Sequence, residues 1–186
     1  MKASTVRAGA AEKAARVRLF LLDVDGVLTD GGIVFDGDGR EIKRFHVRDG
    51  HGIKMIQRAG VEVGIITGRT SEVVNVRAKE LGIALVRQGA TDKVAAWREI
   101  LLEKGISAEE TAYVGDDIVD VPLLRQVGFS AAVADAESEV LVAVDFVSSR
   151  AGGHGAVREI IEFVLRSSGA WEKIVAKYLG SERPST

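Results

Sequence analysis

Residues 17–27 read Val17-Arg18-Leu19-Phe20-Leu21-Leu22-Asp23-Val24-Asp25-Gly26-Val27, an apolar run that ends in two acidic residues. A nearly continuous apolar run is typical of a β-strand buried on both faces, as in the centre of a parallel sheet. Side chains alternate along an extended chain, so Asp23 and Asp25 leave this strand on the same side. The sequence therefore predicts a central strand with two carboxylates at its carboxyl end.

The rest of the chain alternates short apolar runs with segments of helical periodicity. Further strands are predicted at residues 61–67, 84–87, 112–115, 131–133 and 146–147. Helices are predicted at residues 71–81, 92–104, 118–127, 138–142 and 155–166, at 49–60 with Asp49 as N-cap, and at 171–179, where a docked tail is the alternative. Strands that alternate with helices predict an α/β fold, a Rossmann-like parallel sheet with helices on both faces.

One segment departs from this alternation. Residues 33–35 and 41–47 flank the turn sequence Asp36-Gly37-Asp38-Gly39-Arg40, which predicts a projecting β-hairpin at about residues 32–47. Only this hairpin separates residues 23–27 from the next helix, so no large domain is expected between them.

The length of 186 residues suits one domain. We expect a flexible N-terminal segment at residues 1–16, the α/β domain at 17–168, and a C-terminal helix or tail at 169–186, with residues 180–186 polar and frayed.

The composition narrows the function classes. A net charge of −2 with interspersed signs offers no basic stripe for nucleic acid. Absence of cysteine excludes disulfides and thiolate chemistry, and no apolar run is long enough to span a bilayer or to form a signal peptide. We expect a cytoplasmic protein that binds neither nucleic acid nor a membrane.

In an open parallel sheet the ligand site lies outside the carboxyl ends of the strands. The groups that follow the predicted strands are the pair Asp23 and Asp25, the segment Thr67-Gly68-Arg69-Thr70-Ser71, Lys93 at a helix start, and Gly115-Asp116-Asp117-Ile118-Val119-Asp120. Two carboxylates that face one site would repel unless one held a proton or a cation such as Mg²⁺ lay between them. A hydroxyl and backbone amides at a helix start suit a phosphoryl group.

Each of these elements also has an ordinary structural explanation. A lone Asp-x-Asp more often caps a turn, Thr70 or Ser71 can simply cap a helix, Lys93 can be a solvated surface residue, and some of the later aspartates can cap the next helix. All of them in this order, each at the end of its own strand, are far more specific than any one alone.

This order of motifs resembles that of the haloacid dehalogenase superfamily over about residues 19–165. Within it, residues 21–56, Ile65-Ile66-Thr67-Gly68-Arg69 and Gly152-Gly153-His154-Gly155 resemble the minimal-cap family of 3-deoxy-D-manno-octulosonate 8-phosphate (KDO 8-phosphate) phosphatases. The chain departs from that family at His154, where a basic residue is expected.

The resemblance implies a phosphatase of lipopolysaccharide precursor synthesis that works through an aspartyl phosphate. Asp23 would be the nucleophile, Asp25 the acid and base, and Thr67 and Lys93 would contact the phosphoryl group. Mg²⁺ would be held by Asp23, the Asp25 backbone carbonyl and Asp116, with Asp117 and Asp120 in support.

The resemblance also implies a homotetramer in which neighbouring hairpins and tails close each site. A phosphorylated keto-sugar acid carries a carboxylate, so cationic groups are expected beside the phosphate site. The residues expected to bind substrate are Asp25, His46, Arg48, Asp49, Gly50, Lys54, Arg69, Arg77 and Lys93, with a subunit contact as the alternative for His46.

Other functions remain open. A phosphatase for a nine-carbon keto-sugar-acid 9-phosphate would use the same catalytic groups, although Arg69 favours the eight-carbon substrate. A non-catalytic oligomerisation module would have no need for the charged set of Asp23, Asp25, Lys93 and Asp116. A mutase or dehalogenase is disfavoured by Asp25 and by the missing cap.

Overall fold

The structure, a computed structural model, describes residues 3–179. Its strands in chain order are β1 (Thr5–Val6), β2 (Leu19–Leu22), β3 (Val34–Phe35), β4 (Glu41–Ile42), β5 (Glu62–Ile66), β6 (Leu85–Arg87), β7 (Thr111–Gly115), β8 (Phe129–Ala132) and β9 (Phe146–Val147). Its α-helices are α1 (Ala10–Ala14), α2 (Val47–Arg58), α3 (Glu72–Leu81), α4 (Lys93–Lys104), α5 (Val121–Leu124), α6 (Ser138–Leu141), α7 (Ala156–Ser167) and α8 (Trp171–Leu179).

The main sheet has seven strands in the order β1-β9-β8-β7-β2-β5-β6. All neighbours except β1 and β9 run parallel. Every residue of β2 and β7 is buried, as their apolar runs predict. The predicted α/β class, with a largely parallel sheet, is therefore confirmed.

The order of the strands reverses beside β2. The chain moves from β2 to β5 and β6 in one direction, and from β7 to β8 and β9 in the other. Right-handed crossovers in opposite directions place helices on opposite faces of the sheet and open a crevice where the directions diverge. The carboxyl ends of β2 and β7 lie at this point.

The predicted hairpin is a separate two-stranded sheet formed by β3 and β4. Val34 pairs with Ile42, and Phe35 with Glu41. At the turn, one carboxylate oxygen of Asp36 accepts hydrogen bonds from the backbone N–H groups of Asp38 at 2.9 Å and Arg40 at 2.8 Å. The Asp36 side chain therefore satisfies backbone N–H groups of its own turn.

Helix α2 begins at Val47 and not with Asp49 as its N-cap. His46 is the N-cap, and its Nδ1 accepts a hydrogen bond of 3.3 Å from the Arg48 backbone N–H. Asp49 lies in the first turn, and its buried carboxylate accepts from the backbone N–H groups of Gly155 at 3.2 Å and Arg158 at 2.7 Å. Asp49 thus caps α7, a partner distant in sequence.

The helix predicted at residues 118–127 is shorter and divided. A 3₁₀ turn at Ile118–Asp120 precedes α5, and Asp117 caps that turn. Pro122 lies in the first turn of α5, where its missing N–H costs nothing.

None of the helices in the described part of the chain is long and apolar enough to cross a membrane.

Residues 1–16 were predicted as a flexible segment, and within the described residues they include β1 and α1. Strand β1 pairs antiparallel with β9, and the side chains of Ala10 and Ala14 in α1 are fully buried. Helix α1 packs against α7. Alanines four residues apart lie on one helix face, and their small size lets α1 approach α7 closely. The charged residues between them made this apolar spacing hard to recognise in the sequence.

We predict that Ala14→Leu lowers the free energy of unfolding by about 1–3 kcal/mol, because the added atoms overpack a filled interface. The matched variant Ala11→Leu lies on the exposed face of α1 and should change stability by less than about 0.5 kcal/mol. Urea unfolding of both variants measures the difference. Equal effects would mean that α1 does not pack on the domain.

Candidate active site

The carboxyl ends of β2, β5 and β7 meet at a cavity of about 220 Å³. Its lining contains charged or polar side chains from each sequence-predicted element: Asp23, Asp25, Thr67, Arg69, Lys93, Asp116 and Asp117. Adjacent parallel strands bring these side chains together because their carboxyl ends lie at one edge of the sheet. The structure thus places every predicted catalytic and metal-binding residue at one cavity.

Lys93 lies at the centre of the charged groups. Its Nζ donates hydrogen bonds to Asp23 Oδ2 at 2.6 Å, to Asp120 Oδ1 at 2.6 Å and to the Tyr113 hydroxyl at 3.1 Å. Burial lowers the pKa of Lys93, but Asp23 and Asp120 raise it, and the net direction is upward. The ammonium is therefore charged at neutral pH and is no surface lysine.

Asp23 is held at both oxygens. Its Oδ1 accepts a 2.7 Å hydrogen bond from the Val24 backbone N–H, and Oδ2 accepts from Lys93. Burial raises the pKa of Asp23, and Asp120 adds to the rise, while Lys93 opposes both. A cation in the cavity would favour the ionised carboxylate that a nucleophile needs.

Asp120 is fully buried and supports the site. Its Oδ1 accepts from Lys93 at 2.6 Å and from the Tyr113 hydroxyl at 2.7 Å, and its Oδ2 accepts from the backbone N–H groups of Asp116 at 3.0 Å and Asp117 at 3.2 Å. A carboxylate has about four lone-pair sites, so Asp120 is saturated and positions Lys93 and the loop after β7. Tyr113 gave no chemical signal in the sequence because it lies within an apolar strand.

Asp116 can accept further hydrogen bonds or bind a cation. Its Oδ1 is buried without a hydrogen-bond partner among the described residues. Burial, with the charges of Asp23 and Asp120, raises the pKa of Asp116 to about 8. One carboxylate oxygen from each of these residues lies within 4.8 Å of the others. Such a set of oxygen ligands fits a divalent cation, and because Asp120 is saturated, Asp23 and Asp116 are the carboxylates left to hold it.

Asp25 faces the cavity beside groups from the hairpin. Lys43 Nζ pairs with Asp25 Oδ1, and Arg69 Nη1 lies 3.6 Å from Asp25 Oδ2. Arg69 also donates a 2.8 Å hydrogen bond to Glu41 Oε1. The sequence reasoning missed Glu41 and Lys43, although their alternate positions on the predicted second hairpin strand place them on one face.

Comparisons with known proteins agree with this geometry. Residues 83–160 match the family model described as haloacid dehalogenase-like hydrolase. The chain is 44% identical over 164 residues to the KDO 8-phosphate phosphatase KdsC of Escherichia coli K12, across 88% of this chain and 87% of that protein. The KdsC of Salmonella typhimurium is 45% identical over 84% of each chain.

Solved structures show the same resemblance. The KDO 8-phosphate phosphatase of Moraxella catarrhalis, solved with a magnesium ion, a phosphate ion and KDO, is 36% identical with a TM-score of 0.90 over 92% of this chain and 99% of that one. The KDO 8-phosphate phosphatase of Yersinia pestis is 41% identical with a TM-score of 0.87 over 90% of each chain. The chain belongs to the KDO 8-phosphate phosphatase family of haloacid dehalogenase-like hydrolases.

Most residues expected to bind substrate lie away from the cavity in this single chain. The exceptions are Asp25, Arg69 and Lys93, while His46, Arg48, Asp49, Gly50, Lys54 and Arg77 are absent from its lining. Arg77 pairs with Glu80 at 2.8 Å and lies over the Phe45 ring. A Cβ added to Gly50 would lie 2.4 Å from Arg77 Nη2, so a larger residue there would displace the Arg77 guanidinium.

The KDO 8-phosphate phosphatase motif around His154 packs directly behind the acidic loop. A Cβ on Gly152 would lie 1.7 Å from the Gly26 carbonyl oxygen, and Gly153 donates a backbone hydrogen bond of 3.0 Å to Val27. His154 Nδ1 lies 2.7 Å from the Gly152 carbonyl oxygen. The glycines, more than the residue at His154, determine this contact.

We predict that Asp116→Asn weakens Mg²⁺ binding by about 100-fold or more, since groups that only orient a ligand already contribute roughly 10- to 100-fold. Asp117→Asn is the matched comparison. The exposed Asp117 carboxylate accepts from the Ile118 backbone N–H at 2.6 Å, a bond that Asn can keep, so its effect should be smaller. Calorimetric titration with Mg²⁺ measures both, and an equal loss would contradict the assignment of Asp116.

Proposed function

We propose that the chain hydrolyses KDO 8-phosphate to KDO and inorganic phosphate through an aspartyl phosphate on Asp23. One observation carries the proposal: Lys93 joins Asp23 to Asp120 by hydrogen bonds of 2.6 Å, beside Asp25 and Asp116, in a chain of this phosphatase family. Such a site supplies a nucleophile, an acid and base, and positive charge in one cavity. Phosphate-monoester hydrolysis is among the slowest uncatalysed reactions, and these are the groups it requires.

The residues divide the reaction into two steps. In the first, an Asp23 oxygen bonds to phosphorus, the bond from phosphorus to the sugar oxygen breaks, and Asp25 gives its proton to that oxygen. In the second, a water oxygen bonds to phosphorus, Asp25 takes the water proton, and the bond from Asp23 to phosphorus breaks. Lys93 and Thr67 hold the phosphoryl oxygens throughout.

Mg²⁺ bound by Asp23, Asp116 and the Asp25 backbone carbonyl would neutralise phosphoryl charge and keep Asp23 ionised. In the chain itself, Asp120 holds Lys93 toward Asp23 and holds the Asp116 backbone from behind. Asp117 caps the 3₁₀ turn that follows. The loop after β7 is thus held by hydrogen bonds at both ends.

A carboxylated substrate is supported by Arg69, whose Nη1 lies at the cavity without a hydrogen-bond partner among the described residues. A planar guanidinium suits a carboxylate or a phosphate. His46, Arg48, Lys54 and Arg77 would contact substrate in a site that a neighbouring subunit completes. The buried Asp49 and Gly50 would position this segment, since the Asp49 carboxylate holds the start of α7.

A homotetramer is part of this proposal. Support comes from the hairpin, where Ile33, Val34, Phe35 and Ile42 are each between 50% and 60% exposed. An apolar patch of this kind on a projecting strand pair suits packing against another copy, which also covers its open edge.

A cytoplasmic location accompanies the proposed role in lipopolysaccharide precursor synthesis. The substrate carries phosphate and carboxylate charges, and burying such charges in a bilayer is costly. An enzyme for it therefore works in the compartment where the substrate forms.

We expect Mg²⁺-dependent phosphate release from KDO 8-phosphate to exceed that from nine-carbon keto-acid 9-phosphates and hexose phosphates, and EDTA to abolish it. Asp23→Asn and Asp25→Asn should each abolish turnover, since each removes a group that a step requires. A phosphate-release assay checks these expectations. Preference for a nine-carbon substrate would change the substrate and keep the mechanism, whereas no hydrolysis of any would favour a non-catalytic module.

We predict that Phe35→Asp reduces the assembly from tetramers to smaller species, because a charge would be buried in the apolar contact. Asp38→Ala, at the exposed turn of the same hairpin, should leave the assembly unchanged. Sedimentation velocity at micromolar concentration distinguishes the species. A monomeric parent chain would exclude the tetramer.

A further inference from the structure

The second hairpin strand reaches from the surface back to the active-site cavity. Along residues 41–44 side chains alternate: Glu41 and Lys43 face inward toward Asp25 and Arg69, while Ile42 is half exposed and Arg44 pairs with Asp30 on the surface. The hairpin therefore carries a second set of charged groups to the site, beside those of the strand ends.

Lys43 is the most buried of these groups. Its side chain is 1% exposed, and its Nζ pairs with Asp25 Oδ1 and with Glu41 Oε1 at 3.2 Å. Taking an ammonium out of water costs several kcal/mol unless carboxylates compensate it. Lys43 thus makes close contact with the residue that the proposed reaction uses as acid and base.

Glu41 connects this pair to the main domain. Arg69 donates to Glu41 Oε1 at 2.8 Å, and the hydroxyl of Ser71, which lies at the start of α3, donates to Glu41 Oε2. The Ser71 hydrogen bond, together with Lys43 and Arg69, lowers the pKa of Glu41. Glu41 is therefore ionised at neutral pH and holds Lys43 in a defined place.

Resting on the proposed phosphatase reaction, we propose that Lys43 is a positioning residue that aims the Asp25 carboxyl group at the oxygen of the leaving sugar. When the phosphorus–oxygen bond breaks and the Asp25 proton passes to that oxygen, a carboxylate forms beside the Lys43 ammonium. The positive charge of Lys43 thus stabilises the negative charge that develops on Asp25 in the transition state. Asp23 depends on Lys93 instead, so loss of Lys43 leaves the nucleophile in place.

The leaving group distinguishes this role from a structural one. A sugar alkoxide is a poor leaving group and needs the proton of Asp25, whereas p-nitrophenolate leaves without protonation. Lys43→Met should therefore lower kcat/KM for KDO 8-phosphate by about 10- to 100-fold, a fraction of the 10²–10⁴ that acid catalysis supplies. It should change kcat/KM for p-nitrophenyl phosphate by less than about threefold, because kcat/KM reports the first step, in which this leaving group needs no proton from Asp25.

Both phosphate esters are assayed with the same preparation of each variant. The ratio of the two rates therefore does not depend on how much of the variant is folded. Lys43→Arg keeps a cation beside Asp25 and should restore much of the ratio, and Arg40→Met, at the exposed hairpin turn, should leave it unchanged.

Three results would overturn the inference: equal losses for both phosphate esters, no loss for either, or a raised KM for KDO 8-phosphate at unchanged kcat. The last result would make Lys43 a substrate-binding residue. If the parent chain cleaves p-nitrophenyl phosphate and another sugar phosphate but not KDO 8-phosphate, the proposed substrate fails, and the same ratio measured with that sugar phosphate still tests Lys43. If it cleaves none of them, both proposals fail together.

Discussion

The buried ammonium of Lys93 is the constraint around which this site is arranged. Carboxylates at the ends of neighbouring strands would repel one another, and this lysine supplies a compensating charge at 2.6 Å from both Asp23 and Asp120. Removing either carboxylate would leave a buried cation with one partner, at a cost of several kcal/mol. The arrangement still leaves Asp116 with a buried oxygen lacking a partner, so the charge balance within the described residues is incomplete without a cation. Structure and metal binding are thus coupled at one point.

Steric constraints complement this electrostatic one. A Cβ on Gly26 would lie 2.0 Å from Asp116 Oδ2, and one on Gly152 would lie 1.7 Å from the Gly26 carbonyl oxygen. The acidic loop after β2 therefore passes between the loop after β7 and the glycine-rich segment before α7, with no room for a side chain at either contact. Gly26 also has a φ of 83°, in the left-handed region that favours glycine. Asp49 extends the connection, because it holds the start of α7 from the first turn of α2.

Local signals in the sequence were sufficient to predict the sheet and the chemical groups at the strand ends. They were insufficient where the structure of a segment depends on residues far along the chain. The run from Leu19 to Leu22 and the residues that follow it predict both a buried strand and its function, because period and position carry the information. The elements β1 and α1 of the N-terminal segment were not predicted, since their partners β9 and α7 lie far along the chain. For the same reason Asp49, whose residue type suits the N-cap of α2, instead caps α7. Lys43 could be placed on a strand face from its alternation, but its contact with Asp25 depends on how the hairpin folds over the sheet.

The two faces of the hairpin make different kinds of contact. Its outer side chains, such as Phe35, present apolar surface at a distance from the chemistry, while Glu41 and Lys43 on the inner face lie against Asp25 and Arg69. A short two-stranded hairpin is marginally stable alone, so its inner face depends on these charge pairs and its outer face on whatever covers it. Any assembly that immobilises the outer face also restricts the inner one, because the two faces share a backbone. In the proposed tetramer, assembly and the orientation of Asp25 would therefore be coupled through a few residues of the hairpin.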